Sequence, residues 1–196
     1  MSIFSRIKKR IQNKKQPTVA DFLALLTNNE INAVKNMFGQ DLSEFKVHIG
    51  TEKSYLYEVY AYHGKTAIKH FDGALFLGSL NFGMAEGYCE EYNCDGGYFK
   101  GNFKGGKKNG SGKEFNKAEN SLYSGDYLND EKDDFGTLVE KHPRGKTIYE
   151  GSFAKGKKDG RGKLTVYNDD GLVTNVIDGI WTKDEYNVIV SSDIPY

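Results

Sequence analysis

FLGSLNFGMAEGYC from Phe76, FKGNFKGGKKNGSG from Phe99, YSGDYLNDEKDDFG from Tyr123 and YEGSFAKGKKDGRG from Tyr149 align without a gap over fourteen positions. A fifth copy opens at Ile177 as IDGIWTKD and then breaks off. The copies start 23, 24, 26 and 28 residues apart, a spacing that signals an internal repeat. In a strand, positions one, three and five face the same side. Here they are aromatic or Ile, then Gly, then aromatic or Leu. The glycine is present in every copy, as Gly78, Gly101, Gly125, Gly151 and Gly179. Position five is Leu80, Phe103, Tyr127, Phe153 or Trp181. A glycine between two large side chains leaves a slot on that face, which a ring from a neighbouring hairpin can occupy. Positions two, four and six are mostly polar, as a solvated face requires. A turn is expected near positions eight and nine, as in Gly106-Lys107 and Gly156-Lys157. A two-residue turn there sets position five opposite twelve and position three opposite fourteen. Each copy is then one β-hairpin whose aromatic face is buried only by stacking on its neighbours.

The pattern YxGxFxxGxxxGxG resembles the MORN repeat (membrane occupation and recognition nexus), over residues 76–183. The second and fourth copies match well. The first has Cys89 in place of the last glycine, and the third has Asp130 and Asp134 at two glycine positions. The histidine common before the second glycine pair is replaced by Glu86, Asn109, Asp133 and Asp159. The resemblance implies an assembly or membrane-proximal module, a kind often found beside a catalytic domain. The stretch after the fifth copy is too short for such a domain, so the array itself is expected to act.

Outward from the repeats, the organisation is read as four segments. Residues 1–16 form a basic amphipathic segment, with Ile3, Phe4, Ile7 and Ile11 on one stripe and Lys and Arg opposite. Residues 17–40 form a short helical cap. Thr18 to Asp21 is a helix start, Phe22, Leu23, Leu25 and Leu26 supply an apolar face, and a second helix runs from about Glu30 to Phe38 before Gly39. Residues 41–75 are leading β-strands. Phe45, Val47 and Ile49 alternate with polar residues, Tyr55 to Tyr62 and 66–71 are strands, and His63-Gly64 and Asp72-Gly73 are turns. Residues 76–196 hold the hairpins and a C-terminal capping strand. The fold class is mainly β: an extended antiparallel meander of stacked hairpins with a small α-helical N-terminal region.

Composition agrees. Of 196 residues 23 are Gly, about 12% against an average near 7%, and only 3 are Pro, while 13 are Tyr and 12 are Phe. Many strands and tight turns fit these numbers, and a helical bundle does not. The formal net charge is zero, but Arg6, Lys8, Lys9, Arg10, Lys14 and Lys15 put +6 into the first sixteen residues, where no acid occurs. Removing these six from 27 basic residues leaves 21 against 27 acids, or −6, elsewhere. Nucleic-acid binding usually needs a basic face on the domain itself, so no nucleic acid is expected. No run approaches the ~18–20 apolar residues of a membrane span, and no signal-peptide core follows the basic start. Cys89 and Cys94 make no disulfide framework. A cytoplasmic protein is expected, with the inner face of a membrane as the alternative location.

The chemistry of sites is sparse. Cys89 and Cys94 are spaced C-x4-C without a second pair or a nearby histidine, so no metal is expected. His48, His63, His70 and His142 are scattered, and no HExxH, GxSxG or phosphate-loop pattern occurs. GKKNGSG and GKKDGRG sit in β-turns rather than between a strand and a helix. The neighbouring acids Glu90/Glu91 and Asp169/Asp170 point apart in strands or are solvated in turns. No catalytic residue, metal or cofactor is assigned. The aromatic row Phe99, Phe103, Tyr123, Tyr127, Tyr149, Phe153 and Trp181 is either hairpin core or a surface for a protein partner. Lys107, Lys108, Lys157 and Lys158, with Lys132 between, are either solubilising turn lysines or an anion-binding ridge. The basic tip is a packed cap, a protein-docking segment or a contact with anionic lipid. The expected function is a non-enzymatic scaffold or adaptor gripping another protein through its stacked sheet. The alternatives are a peripheral module recruited to anionic lipid, and an inhibitor or immunity-type protein that occludes one enzyme.

Overall fold

The turns decide where each hairpin closes, and their backbone angles are diagnostic. Positions seven and eight of every copy both have positive φ: Phe82 and Gly83, Gly105 and Gly106, Asn129 and Asp130, Lys155 and Gly156, Lys183 and Asp184. Positive φ at both central residues is the requirement of the type I′ hairpin turn, whose twist matches that of the flanking strands. The turns therefore fall one residue earlier than positions eight and nine.

The computed structural model describes residues 18–40, the main chain of 46–50, and residues 64–70 and 72–187. The basic segment 1–16, Phe45, the strand expected over Tyr55–Tyr62 and His63 lie outside the described residues. Among the described residues two helices, α1 (Val19–Leu23) and α2 (Asn28–Phe38), precede twelve strands. These are β1 (Lys46–Gly50), β2 (Gly64–His70), β3 (Leu75–Asn81), β4 (Met84–Tyr92), β5 (Tyr98–Lys104), β6 (Lys107–Asn116), β7 (Ser121–Leu128), β8 (Glu131–His142), β9 (Gly145–Ala154), β10 (Lys157–Tyr167), β11 (Val173–Thr182) and β12 (Glu185–Asn187). The mainly β class is as expected. The chain divides into two compact units. One holds the residues up to Gly96 with Lys104–Gly106, and the other Gly97–Phe103 with Lys107 onward.

In the first unit both helices open on a capping box, in which a threonine hydroxyl and an acidic side chain three residues on satisfy each other's backbone N–H groups. Thr18 and Asp21 cap α1, and Thr27 and Glu30 cap α2. The second helix thus starts two residues before the expected Glu30, because Glu30 belongs to its cap. Strand β1 runs parallel to β2, an exception to the antiparallel pattern, whereas β2, β3 and β4 are antiparallel neighbours. The Asp72-Gly73 turn joins β2 to β3, with Gly73 at φ 106 and the Ala74 N–H donating to Asp72 Oδ1 at 2.9 Å. Phe22 and Val34 bury completely against Ala67, Leu75 and Leu77, with Leu25, Leu26 and Tyr92 packed around them. The Lys69 ammonium ties helix to hairpin, donating to Glu30 Oε1 at 2.7 Å and to the Gly73 carbonyl at 2.8 Å. Burial works to raise the Glu30 carboxyl. The Lys69 charge and the bonds from Lys69 and Thr27 outweigh it and hold the group below its usual pKa.

In the second unit β5 to β12 lie in chain order, and the neighbours from β6 to β12 pair antiparallel. The register corrects one expectation. Position three does face fourteen, as in Gly125↔Gly136 and Gly151↔Gly162. Position five, however, faces position ten rather than twelve: Tyr127↔Lys132 and Phe153↔Lys158, as does Leu80↔Ala85 in the first unit. The earlier turn sets five opposite ten, and beyond it the first, third and fourth hairpins carry a bulge of two extra residues on the second strand that restores the pairing of three with fourteen. Position twelve sits in that bulge with positive φ, as Gly87 (72°), Asp134 (55°) and Gly160 (101°), and Gly110 (91°) takes the same backbone in the second hairpin. Position twelve then faces position five of the following copy: Gly110↔Tyr127, Asp134↔Phe153 and Gly160↔Trp181.

Candidate functional site

The face carrying positions one, three and five is a closed aromatic ladder. The position-one ring lies flat over the two glycines of its own hairpin. A Cβ placed on Gly162 would meet Tyr149 Oη at 2.2 Å, and one on Gly136 would meet Tyr123 Oη at 2.4 Å. In the second copy, a Cβ on Gly112 would meet Phe99 Cζ at 2.5 Å, and one on Gly101 would meet the Gly112 Cα at 2.6 Å. The ring in the slot thus comes from the same hairpin and not, as expected, from a neighbouring one. Where it is tyrosine, its hydroxyl reaches past the glycines to a main-chain carbonyl. Tyr123 donates to Asp126 and Tyr149 to Ser152, each at 3.0 Å.

The rings then alternate within and between copies. Phe99 meets Phe103 at 5.2 Å and Tyr127 at 5.1 Å. Tyr123 meets Tyr127 at 5.2 Å and Phe153 at 5.1 Å. Tyr149 meets Phe153 at 5.2 Å and Trp181 at 5.3 Å. All six contacts are edge-to-face, the arrangement that sets a positive ring edge on a negative ring face. Each such pair contributes ~0.5–1.5 kcal/mol beyond the area it buries. The seven rings expose between 1% and 5% of their surface. Of the two readings of this row, the structure places all seven side chains in the hairpin core, where a partner would not reach them. Burial first, and then nearby carboxylates, push the Tyr149 hydroxyl up to about 12 and those of Tyr123 and Tyr127 well above the usual phenol range. These phenols stay protonated and act as donors.

The turn lysines divide into two kinds. Lys107 and Lys157 are exposed. Lys108 and Lys158, at position ten, fold back over the ladder: a turn at positions seven and eight sets position ten opposite the position-five residue, as Lys158 is to Phe153. Lys108 Nζ lies 4.5 Å from the Phe99 centroid, Lys132 Nζ 5.1 Å from Tyr123 and Lys158 Nζ 5.2 Å from Tyr149. Their stems cover the rings, and the ammonium groups gain ~0.5–2 kcal/mol from the ring faces. Lys108 also pairs with Glu114, and Lys158 lies 3.7 Å from Glu140. These two lysines therefore belong to the ladder and not to a free ridge. The sequence signal for this was available: a lysine recurs at position ten of copies two, three and four.

Neighbouring copies are also joined through main chain. The position-eight N–H of one copy donates to the position-ten carbonyl of the copy before it: Gly106 to Ala85 in the first unit, and Asp130 to Lys108, Gly156 to Lys132 and Asp184 to Lys158 in the second, all at 2.9–3.0 Å. Where position eight is aspartate the link doubles. Asp130 Oδ1 accepts from the Lys108 N–H at 2.8 Å, and Asp184 Oδ1 from the Lys158 N–H at 2.9 Å.

The opposite face of the sheet carries a feature that the repeat alignment did not single out. The residue just before position one is apolar in every copy: Leu75, Tyr98, Leu122, Ile148 and Val176. Cross-strand pairing joins these positions into rows. In the first unit Leu75 pairs Tyr92, under the helical cap. In the second the row runs Phe115↔Leu122↔Val139↔Ile148↔Thr165↔Val176. No helix belongs to the second unit among the described residues. Leu122, Val139 and Ile148 are half-buried and Val176 is 49% exposed.

Among the described residues no group of three or more His, Cys, Asp or Glu is placed to hold a metal ion, and no helix is long and apolar enough to cross a membrane. Cys89 is fully buried at position fourteen of the first copy, where its Sγ fills the space over Gly78. Burial pushes its thiol up to about 11, so it is a packing residue rather than a nucleophile.

Comparison with known proteins agrees with this geometry. A family model described as the MORN repeat matches residues 99–116 and 149–170, the second and fourth hairpins. No curated protein matches the chain. The matched segments carry the ring, the paired glycines and the bulge glycine, and the third hairpin repeats the same trace with different residues. The chain is a MORN repeat protein.

Proposed function

We propose that this protein is a non-enzymatic scaffold or adaptor that binds a protein partner through its repeat sheet. MORN repeats are common in scaffold and membrane-associated proteins. The observation that carries the choice is the closed ladder. The aromatic side chains that could have formed a pocket are spent on packing one copy against the next. What remains outward is a stiff, regularly spaced array of side chains, which suits recognition of an extended partner surface. No role is assigned to a bound metal or cofactor.

The test is affinity capture from the native host with the full chain, beside a full-length variant in which Arg6, Lys8, Lys9, Arg10, Lys14 and Lys15 are all Gln. The expected result is one protein retained in stoichiometric amount by both. The second reading, a lipid-recruited module, rests on the +6 charge of residues 1–16. Each basic residue near an anionic surface contributes about 1 kcal/mol or less at physiological salt. Salt-sensitive co-sedimentation with phosphatidylserine vesicles that the Gln variant loses, with no protein captured, would put the lipid reading first.

A further inference from the structure

We infer that the back face of the second unit is a docking groove for an acidic amphipathic helix, at the row Phe115, Leu122, Val139, Ile148, Thr165 and Val176. The inference rests on the scaffold reading and names the chemistry of the partner.

Three observations carry it. The first is a precedent within the chain. The equivalent row positions in the first unit, Leu75 and Tyr92, are covered by α1 and α2, which bring Phe22 and Val34 down onto them. Leu75 is 1% exposed there, whereas Val176 at the same repeat position is 49% exposed. The repeat thus makes, at this row, a surface that takes the apolar stripe of a helix.

The second is spacing. The row runs across the strands, from β6 to β11, with one residue contributed by each strand. Strands lie ~4.8 Å apart, close to the ~5.4 Å rise of one helical turn. Five such steps span ~24 Å, the length of a helix of ~16 residues. A stripe repeating every three to four residues can therefore meet the row strand by strand. An extended segment, whose same-face side chains recur every ~6.6 Å, falls out of step.

The third is charge. One rim of the row is set by the residues two further along each strand. Lys113 pairs Ser124, Thr137 pairs Glu150, and Lys163 stands opposite both Glu150 and Asp178. Asp178 Oδ1 lies 3.8 Å from Arg161. On the other rim Lys141 pairs Lys146, a juxtaposition of like charges that costs stability within the sheet alone. The first rim is balanced, Lys113 and Lys163 against Glu150 and Asp178, whereas the second carries the facing pair Lys141 and Lys146, so the helix that fits sets acids along the flank of its apolar stripe that meets the second rim.

The experiment uses the isotope-labelled full chain and two synthetic amphipathic peptides of ~16 residues. Both carry Leu at helical stripe spacing, one with Glu on the flanks and the other with Lys. The acidic peptide should bind saturably and shift the backbone amides of Leu122, Val139 and Ile148. The basic twin should bind about tenfold more weakly, since its flank charges meet the Lys141–Lys146 rim with like sign. The full-length triple variant Lys141→Glu, Lys146→Glu and Lys163→Glu, which alters exposed or half-exposed side chains, should melt near wild type and reverse the preference. Equal binding of the two peptides, shifts confined to the hairpin turns, or a well-folded triple variant that still prefers the acidic peptide would each overturn the inference. Should that happen while a host protein is still captured by the full chain, only the helix groove falls. If no protein is captured at all, the scaffold reading falls with it.

Discussion

The third and fourth hairpins trace the same path with different residues. In both, a tyrosine lies over two facing glycines and donates to the position-four carbonyl at 3.0 Å. In both, the second strand carries two extra residues. Yet the fourth is matched by the family model and the third is not. The differences fall at the turn, Asn129-Asp130 against Lys155-Gly156, and at the bulge, Asp134 against Gly160. These are left-handed positions, where Asp and Asn are the residues that best replace glycine. The facing glycines under the ring are unchanged. The comparison teaches that the ring slot is indispensable, whereas the left-handed positions bend to a modest energetic cost.

The slot should break both hairpins alike. Gly162→Val and Gly136→Val each drive a Cβ into a tyrosine ring, at 2.2 and 2.4 Å from the hydroxyl oxygen. Each should cost about 3 kcal/mol, the upper range of overpacking, measured by chemical denaturation. Melts matching wild type for either variant would undo the slot argument.

The bulge should separate them. Gly160→Asp places a side chain at φ 101, with its Cβ 3.0 Å from Ser152 Cβ, and should cost ~1–2 kcal/mol. Asp134→Gly should instead stabilise by ~1 kcal/mol, because it removes a left-handed strain. A loss of stability on Asp134→Gly would mean that this carboxylate holds a role the backbone does not explain.

Tyr149→Phe removes a hydroxyl donor and should cost ~1 kcal/mol. The second hairpin shows that the ring alone suffices, since Phe99 occupies the same slot without a hydroxyl. A cost near that of the glycine variants would show that the bond, and not the ring, sets the hairpin. The smallest effect concerns Asp126 and Asp133, which face each other across the third hairpin. Asp133→Asn should gain a few tenths of a kcal/mol at low salt and nothing at 1 M salt. Asp159→Asn, whose position-four counterpart is Ser152, serves as the control and should gain nothing.

Much of this was legible in the residues. Period two and the glycine at position three follow from strand alternation alone, whereas the pairing of positions three and fourteen was reached by placing the turn one residue late, an offset of two that the bulge happens to supply. The bulge itself was not legible, because counting assumes an unbroken ladder. Gly110 and Gly160 advertise an unusual backbone, but their partners Tyr127 and Trp181 lie on the next hairpin. The place of the turn hid the role of Lys108 and Lys158. Read as turn residues they belong in solvent, and only a turn one residue earlier than expected brings position ten opposite position five. The apolar row on the back face was overlooked for another reason. It lies one residue before the motif, at Leu122 and Ile148, where attention to the aromatic and glycine positions passes it by.

The main-chain links between copies have a direction. Each position-eight N–H reaches back to a carbonyl of the copy made before it, and only the Lys108 and Lys158 N–H groups reach forward, to aspartates of the copy that follows. During synthesis a hairpin therefore meets a finished carbonyl template as soon as its own turn emerges, and domains complete themselves in chain order at ribosomal speed. An array built this way gains or sheds its last hairpin without leaving any position-eight N–H of the others without its acceptor, although the ring contact and the strand ladder to that hairpin go with it. Loss of a hairpin at the other end would leave the next turn without its acceptor, so in this protein growth by duplication has a favoured end.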